Sequence, residues 1–135
     1  MNRVQCVAFG KQWEQELKPL CEQIVDQPLK KSANEYDTMD FESDDFWLEL
    51  KVRSRQYYPS QFSQWLLPYC KIQRAMEEKK TVVFVYYWTA TKQMFIIQYD
   101  KQVFDRFTVD CPEWKQDKQL QVYVPRELWE EILIE

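Results

Sequence analysis

Three residues in one short stretch have the types and spacing for metal-assisted chemistry on a phosphate: Asp40, Glu49 and Lys51. They lie in YDTMDFESDDFWLELKVRSR, Tyr36 to Arg55. From Glu35 to Leu50 there are seven acidic residues and no basic one, and then Lys51, Arg53 and Arg55 follow on alternate positions. Folded as a hairpin about Asp44–Asp45, the stretch sets Phe41 opposite Leu48, Glu42 opposite Trp47, Asp40 opposite Glu49 and Met39 opposite Leu50. Side chains alternate along a strand, so this register gathers Met39, Phe41, Phe46, Leu48, Leu50 and Val52 on one face. Asp40, Glu42, Trp47, Glu49, Lys51 and Arg53 share the other. A turn at Ser43–Asp44 keeps Asp40, Glu49 and Lys51 together as well. Directly opposed residues have Cβ atoms ~4.5–5.5 Å apart. Two carboxylates at that separation repel unless positive charge sits between them, and a divalent cation with oxygen ligands meets the need. Lys51 stands one pleat from Glu49, roughly 6.6–7 Å, where its ammonium can meet a phosphate held by that ion. The plain alternative is a solvated hairpin face, the commoner fate of a run of charge.

Composition narrows the chemistry. The chain has 135 residues, the length of one domain spanning 1–135, with 45% hydrophobic and 16% aromatic residues for its core. It contains no histidine, which removes serine–histidine triads, histidine bases and histidine-bound zinc. Its single glycine, Gly10, excludes glycine-rich phosphate loops and dinucleotide fingerprints. Catalysis must therefore rest on carboxylates, lysine, tyrosine or cysteine. The cysteines Cys6, Cys21, Cys70 and Cys111 form no CxxC pair, and they read as reduced, mostly buried thiols of an intracellular protein. No apolar run approaches membrane-spanning length, and the N-terminus has no signal-peptide core. The net charge of −4 argues against nonspecific nucleic-acid binding, yet its distribution is uneven. Residues 51–80 hold seven basic residues against two acidic ones, beside the acidic stretch.

The elements that must position these groups read as follows. Trp13, Leu17, Leu20, Cys21, Ile24 and Val25 recur at helical spacing, with Pro19 predicting a kink or a restart. The hairpin follows. A second helix is predicted from Ser60 as its cap, with Phe62, Trp65, Leu66, Tyr69, Ile72 and Met76 inward and Pro68 bending it. TVVFVYYW, Thr81–Trp88, reads as a central strand covered on both faces, joined through a short turn to KQMFIIQYD. DKQVFDRFTV reads as a short helix or an edge strand. LQVYVP reads as a late strand, and PRELWEEILIE as a closing helix with proline in its first turn. The expected architecture is α/β, a mixed central sheet flanked by helices.

The stretch MDFESDDFWLELKVRS, set in that order of elements, resembles the D…ExK signature of the PD-(D/E)XK, or restriction-endonuclease-like, superfamily. Asp40 stands at the signature aspartate, and Glu49 and Lys51 at its E-x-K. More narrowly, YDTMDFES, ELKVRSRQYYPSQ and VYVPRELW resemble small proteins of large eukaryotic DNA viruses. The resemblance implies an αβββαβ-type core, Mg²⁺ (or Mn²⁺) held by Asp40 and Glu49, and hydrolysis of phosphodiester bonds, in DNA more often than RNA. It also implies a first-helix Glu or Gln aiding the metal, for which Glu16 and Glu22 are the candidates. The superfamily often has proline before its aspartate, where this chain has Met39; Asp37 is the other candidate aspartate, although it falls on the apolar face.

Arg53, Arg55 and Lys71 are candidate phosphate contacts, equally readable as solvated charge. Tyr57–Pro59 reads first as packing under a loop, and Trp47 as a wall between the site and the first helix. The implied partners are nucleic acid and, beyond it, a homodimer or a larger complex, with no membrane. The implied location is the cytoplasm, the nucleus or a virion. The rival reading is a catalytically inactive relative of the same fold, serving as a binding or structural component of a larger assembly.

Overall fold

The computed structural model describes residues 3–32, 39–115 and 118–134. The chain opens with helix α1 (Arg3–Val25), which runs through Pro19 and ends at Asp26, whose φ of 54° turns the chain out of the helix. Strands β1 (Lys30–Lys31), β2 (Phe41–Glu42) and β3 (Phe46–Arg53) follow. Next come β4 (Gln64–Pro68), α2 (Tyr69–Glu77), β5 (Thr81–Trp88) and β6 (Gln93–Gln98). The chain closes with α3 (Lys101–Phe104), β7 (Val109–Asp110), β8 (Gln121–Pro125) and β9 (Glu130–Ile132).

Six strands form one mixed sheet in the order β1-β2-β3-β5-β6-β9. Every neighbouring pair is antiparallel except β3 and β5, which run parallel. A parallel pair needs a crossover connection, and β4 and α2 supply it here. Apart from the inserted β4, the succession α1, β1, β2, β3, α2, β5 is the αβββαβ order expected from the resemblance. Strands β4, β8 and β7 make a second, three-stranded sheet.

The central strand β5 is apolar on both faces because both are covered. Val83, Val85 and Tyr87 join Leu48, Leu50 and Phe41 under α1, against its Leu17, Cys21 and Val25. Val82, Phe84, Tyr86 and Trp88 face the other way, into a core made by Trp65 and Leu67 of β4, Ile72 and Ala75 of α2, and Val122 and Val124 of β8. The hairpin between β5 and β6 forms as expected, Tyr86 pairing with Phe95 and Trp88 with Gln93.

Two predicted helices are corrected. Residues 60–68 do not start a helix: Pro59–Gln61 is one 3₁₀ turn, and β4 pairs Trp65 with Val124 and Leu67 with Val122. Trp65 and Leu67 are buried on the two-residue period of a strand, and Pro68, which has no N–H to donate, immediately precedes the helix. Phe62, Trp65 and Leu66 therefore belong to no helical face. Met76 is exposed, and Ile72 and Ala75 are the buried residues of α2. The closing segment is likewise not a helix. After a 3₁₀ turn at Arg126–Leu128 it becomes β9, which covers the edge of β6 through Met94–Ile132 and Ile96–Glu130 pairs. DKQVFDRFTV supplies both alternatives, as α3 and β7. Among the described residues, no helix is long and apolar enough to cross a membrane.

Candidate functional site

The site begins with an incomplete ladder. The register of β2 with β3 is the one the sequence implies, Phe41 opposite Leu48 and Glu42 opposite Trp47, and among the described residues it stops there. The Leu50 N–H donates instead to Oδ2 of Asp40, at 2.8 Å. Asp40 thus sits just before β2, in a bend, with its carboxylate turned onto the edge of β3. Glu49, next to Leu50, lies across from Phe84 of β5, and Lys51 across from Tyr86.

These groups converge on a cleft of about 340 Å³ where the edge of β3, helix α1 and the β4–α2 junction meet. Asp40, Glu49, Lys51 and Arg53 line it, with Phe9, Gly10 and Glu14 from α1, Tyr57 from the following loop, and Leu67 and Pro68. Asp40 is only 7% exposed. Burial raises its carboxyl to about 6; the Leu50 hydrogen bond opposes that, and the Glu14 charge adds to it. Glu49 is held well above the usual carboxylate range, first by burial and then by the Asp40 charge, with Lys71 pulling the other way. The two carboxyls thus share one buried environment that disfavours a pair of bare negative charges. Cys21, packed beneath, is pushed up to about 12 by burial and then by the Asp40 and Glu22 charges, so it is no nucleophile.

Lys71 Nζ lies 3.5 Å from Oε2 of Glu49, and both side chains are 12% exposed. That sets the ammonium beside a buried carboxylate oxygen, as an ion pair requires. Lys71, readable from the sequence as a phosphate contact or as solvated charge, stands beside the carboxylate because α2 packs over the Glu49 side of the sheet.

Several other expectations shift. Glu16 lies outside the cleft: it is exposed, accepts a hydrogen bond from Gln12 at 3.4 Å, and its charge acts on Tyr87. Glu22 is occupied by the Leu29 N–H at 2.8 Å. The first-helix carboxylate in the cleft is Glu14, which pairs with Lys31 at 2.8 Å. Glu14, Leu17, Cys21 and Val25 follow one another at helical spacing, and the last three are buried. A carboxylate continuing an apolar stripe was the signal in the sequence that pointed to it. Met39 is not on the face of Phe41 and Leu48; the bend at Asp40 turns it into the opposite core, beside Trp65 and Phe84. Trp47 also packs on that side, away from α1, with Lys80 Nζ 5.1 Å from its ring. Asp37 lies outside the described residues.

The acidic stretch is partitioned. Glu42 pairs with Lys80 at 2.7 Å and Asp45 bonds to Gln27, leaving Asp40 and Glu49 as the cleft's carboxylates among the described residues of that stretch. Arg53 is half-buried, its guanidinium 4.6 Å from the Tyr57 ring and within hydrogen-bonding reach of the Tyr86 hydroxyl. Tyr57 in turn packs on Phe62, as a loop-packing role requires. Arg55 is exposed in the turn after β3 and does not line the cleft. Of the thiols described, only Cys21 is buried; Cys70 is exposed and Cys111 half-buried, because Cys70 lies on the outer side of α2.

As a donor set, Asp40 and Glu49 are hard oxygen ligands, suited to Mg²⁺ or Mn²⁺ rather than to a soft metal. Two buried carboxyls raised by desolvation, with the Lys71 ammonium beside one of them, mark a place that favours positive charge. Among the described residues, no three acidic or thiol side chains converge into a larger ligand group. A cation here would complete its shell with water or phosphate oxygens, as Mg²⁺ commonly does.

No protein-family model and no curated protein sequence matches the chain. Among solved structures it is similar to a nuclease from a fusselovirus, with a TM-score of 0.47 and 14% identity over 93% of this chain and 83% of that one.

Proposed function

We propose that this cleft is the active centre of a metal-dependent nuclease of the PD-(D/E)XK type, hydrolysing phosphodiester bonds, with DNA as the substrate ahead of RNA. The observation that carries the reading is the buried Asp40–Glu49 pair, with Lys51 two residues along the same strand and in the same cleft. Asp40 and Glu49 would hold Mg²⁺ or Mn²⁺, with Glu14 as the helix carboxylate nearest to assist. Such an ion supplies charge neutralisation of the phosphate and a more acidic water.

The chain's own residues supply the rest. Asp40 is fixed by its bond to the Leu50 N–H, so it meets a cation without first losing side-chain freedom. Because burial raises both carboxyls, a cation would compete with protons for them, which ties binding to pH. Lys51 directs a compact positive charge at a bound phosphate and stabilises the charge that develops on it. Arg53 bounds the cleft further along the strand, where a neighbouring phosphate of the same backbone would pass. The two cores share one six-stranded sheet, which supports reading 1–135 as a single domain.

The second reading, an inactive relative, is favoured by one contact. Lys71 already places a positive charge beside Glu49, as a buried structural ion pair does. A calorimetric titration of Mn²⁺ into the wild type and Glu49→Gln separates the two. The nuclease reading expects saturable binding that Glu49→Gln abolishes. Absence of binding to the wild type, at a pH where Glu49 is ionised, supports the structural ion pair instead.

A further inference from the structure

Beside the acidic cleft lies a second cavity of about 290 Å³, and Arg53 lines both. Its other walls are aromatic: Phe62, Trp65, Tyr86, Trp88 and Trp114. The rings are ordered against one another. Phe62 stacks on Trp88 with an interplanar angle of 24°, Tyr86 stacks on Trp88 at 28°, and Trp65 meets Trp88 edge-on at 61°.

Two features set this cavity apart from ordinary core. Arg53 spans this cavity and the acidic cleft, its guanidinium carbon 5.9 Å from the centre of the Phe62 ring and 4.6 Å from that of Tyr57. The second feature is Trp114, which is 67% exposed although it lines the cavity. A large ring held in solvent at the mouth of an aromatic slot is a stacking platform waiting for a planar partner.

We propose that this cavity receives one unpaired base of the nucleic-acid strand whose backbone lies in the acidic cleft. The proposal rests on the nuclease reading for the backbone's position, and it adds that the substrate is single-stranded, or locally opened, at the base beside the attacked phosphate. A base is planar, so it can stack on the exposed ring of Trp114 beside the half-buried Phe62, and its ring nitrogens and carbonyls offer acceptors to the half-buried Arg53 guanidinium. Arg53 links the two sites: its guanidinium faces the cleft on one side and the aromatic slot on the other. A base inside a duplex could not enter without leaving its stack. Stacking on aromatic side chains tolerates any sequence, because every base has a π-face.

The test is fluorescence anisotropy with labelled ten-nucleotide single strands, deoxy and ribo, each also carrying an abasic site at successive positions, and with a blunt duplex. Ca²⁺ replaces Mg²⁺ to suppress cleavage. Trp114→Ala, a substitution at an exposed position, should weaken single-strand binding roughly 5- to 150-fold, the worth of one base–aromatic stack. Trp114→Phe should restore most of it. One abasic position in the wild type should cost as much, and Trp114→Ala should add nothing further on that strand. Binding of the duplex should not change. Equal affinities of wild type and Trp114→Ala for every ligand would overturn the proposal, as would a loss shared equally by the duplex. The nuclease reading is tested apart from this one, by the Mn²⁺ titration: base-dependent binding without metal binding leaves the slot standing and removes the nuclease, and the reverse result removes the slot alone.

Discussion

Replacing Asp40 with asparagine should make the metal-free protein more stable. Removing a charged group from a hydrogen-bonded site is ordinarily destabilising, so the direction is informative. Asparagine keeps a carbonyl oxygen for the Leu50 N–H, which Asp40 Oδ2 accepts at 2.8 Å. It also removes a charge that the fold tolerates poorly, since burial raises the Asp40 carboxyl from 3.8 to about 6. A folded-state pKa above the unfolded one means the native state holds its proton more tightly. Stability is then fully present below about pH 4 and declines as pH rises through 6. The shift is about two units, at about 1.4 kcal/mol per unit, so ionised Asp40 costs the fold about 2–3 kcal/mol above pH 7. At this length 1 kcal/mol moves the midpoint by roughly 3–5 °C, which puts the gain for Asp40→Asn on the order of 10 °C. Near pH 4.5 the gain should shrink to about 1 kcal/mol, because the native carboxyl is then protonated in the wild type. Thermal melts in a chelator at both pH values measure this. The same melts with Mn²⁺ should show the wild type rising and the variant unmoved. Loss of stability in Asp40→Asn near neutral pH, or an equal gain at both pH values, would refute the reasoning.

Further expectations follow from the same geometry. Because burial raises both carboxyls, Asp40 to about 6 and Glu49 in the same direction, the affinity for Mn²⁺ should strengthen as pH rises through and beyond neutrality, with proton release detectable in buffers of different ionisation enthalpy; binding independent of pH would contradict the raised carboxyls. Glu14→Gln should weaken Mn²⁺ binding by roughly tenfold, the scale of a residue supporting a metal's ligands, while Glu16→Gln leaves it unchanged, as titration calorimetry can show. In the native state a thiol reagent should label Cys70 well before Cys21, whose thiol is buried and pushed up to about 12; mass spectrometry of digests would reveal the opposite order.

The part of this account that could be read from the sequence is the part governed by local periodicity. The pairing of Phe41 with Leu48 and of Glu42 with Trp47 follows from apolar residues meeting apolar residues two positions apart. The strand Thr81–Trp88 follows from a β-prone run too short for a buried helix. Where two periods fit the same letters, tertiary packing decided. Phe62, Trp65, Leu66 and Tyr69 suit a helical stripe, but Trp65 and Leu67 also alternate, and β8 offered β4 a partner. The final segment became a strand for a similar reason, since β6 had an edge to cover and β9 covers it.

The site divides along the same line. Asp40, Glu49 and Lys51 were legible because they belong to one hairpin. Glu14 lies on the Leu17–Cys21–Val25 stripe, but its arrival in the cleft depends on how α1 docks on the sheet, which no local spacing encodes. Lys71 depends on where α2 lies, and no spacing in the sequence set it against Glu49. Regular alternation puts Met39 on the face of Phe41, but the bend that turns Asp40 onto Leu50 breaks the alternation one residue before β2.

The central claim is that the cleft performs phosphodiester hydrolysis with Lys51 acting on the phosphate. Its most direct test is cleavage of end-labelled single-stranded, duplex and branched DNA in Mg²⁺ or Mn²⁺ by wild type and Lys51→Ala, with Lys51→Arg alongside. Loss of one preorganised electrostatic contact typically costs on the order of 10²–10³ in rate. The account predicts metal-dependent cleavage by the wild type, a fall of that size in Lys51→Ala with Mn²⁺ binding retained, and poor rescue by the planar guanidinium of arginine. A folded wild type that binds Mn²⁺ yet cleaves none of these substrates, or equal cleavage by wild type and Lys51→Ala, would contradict it.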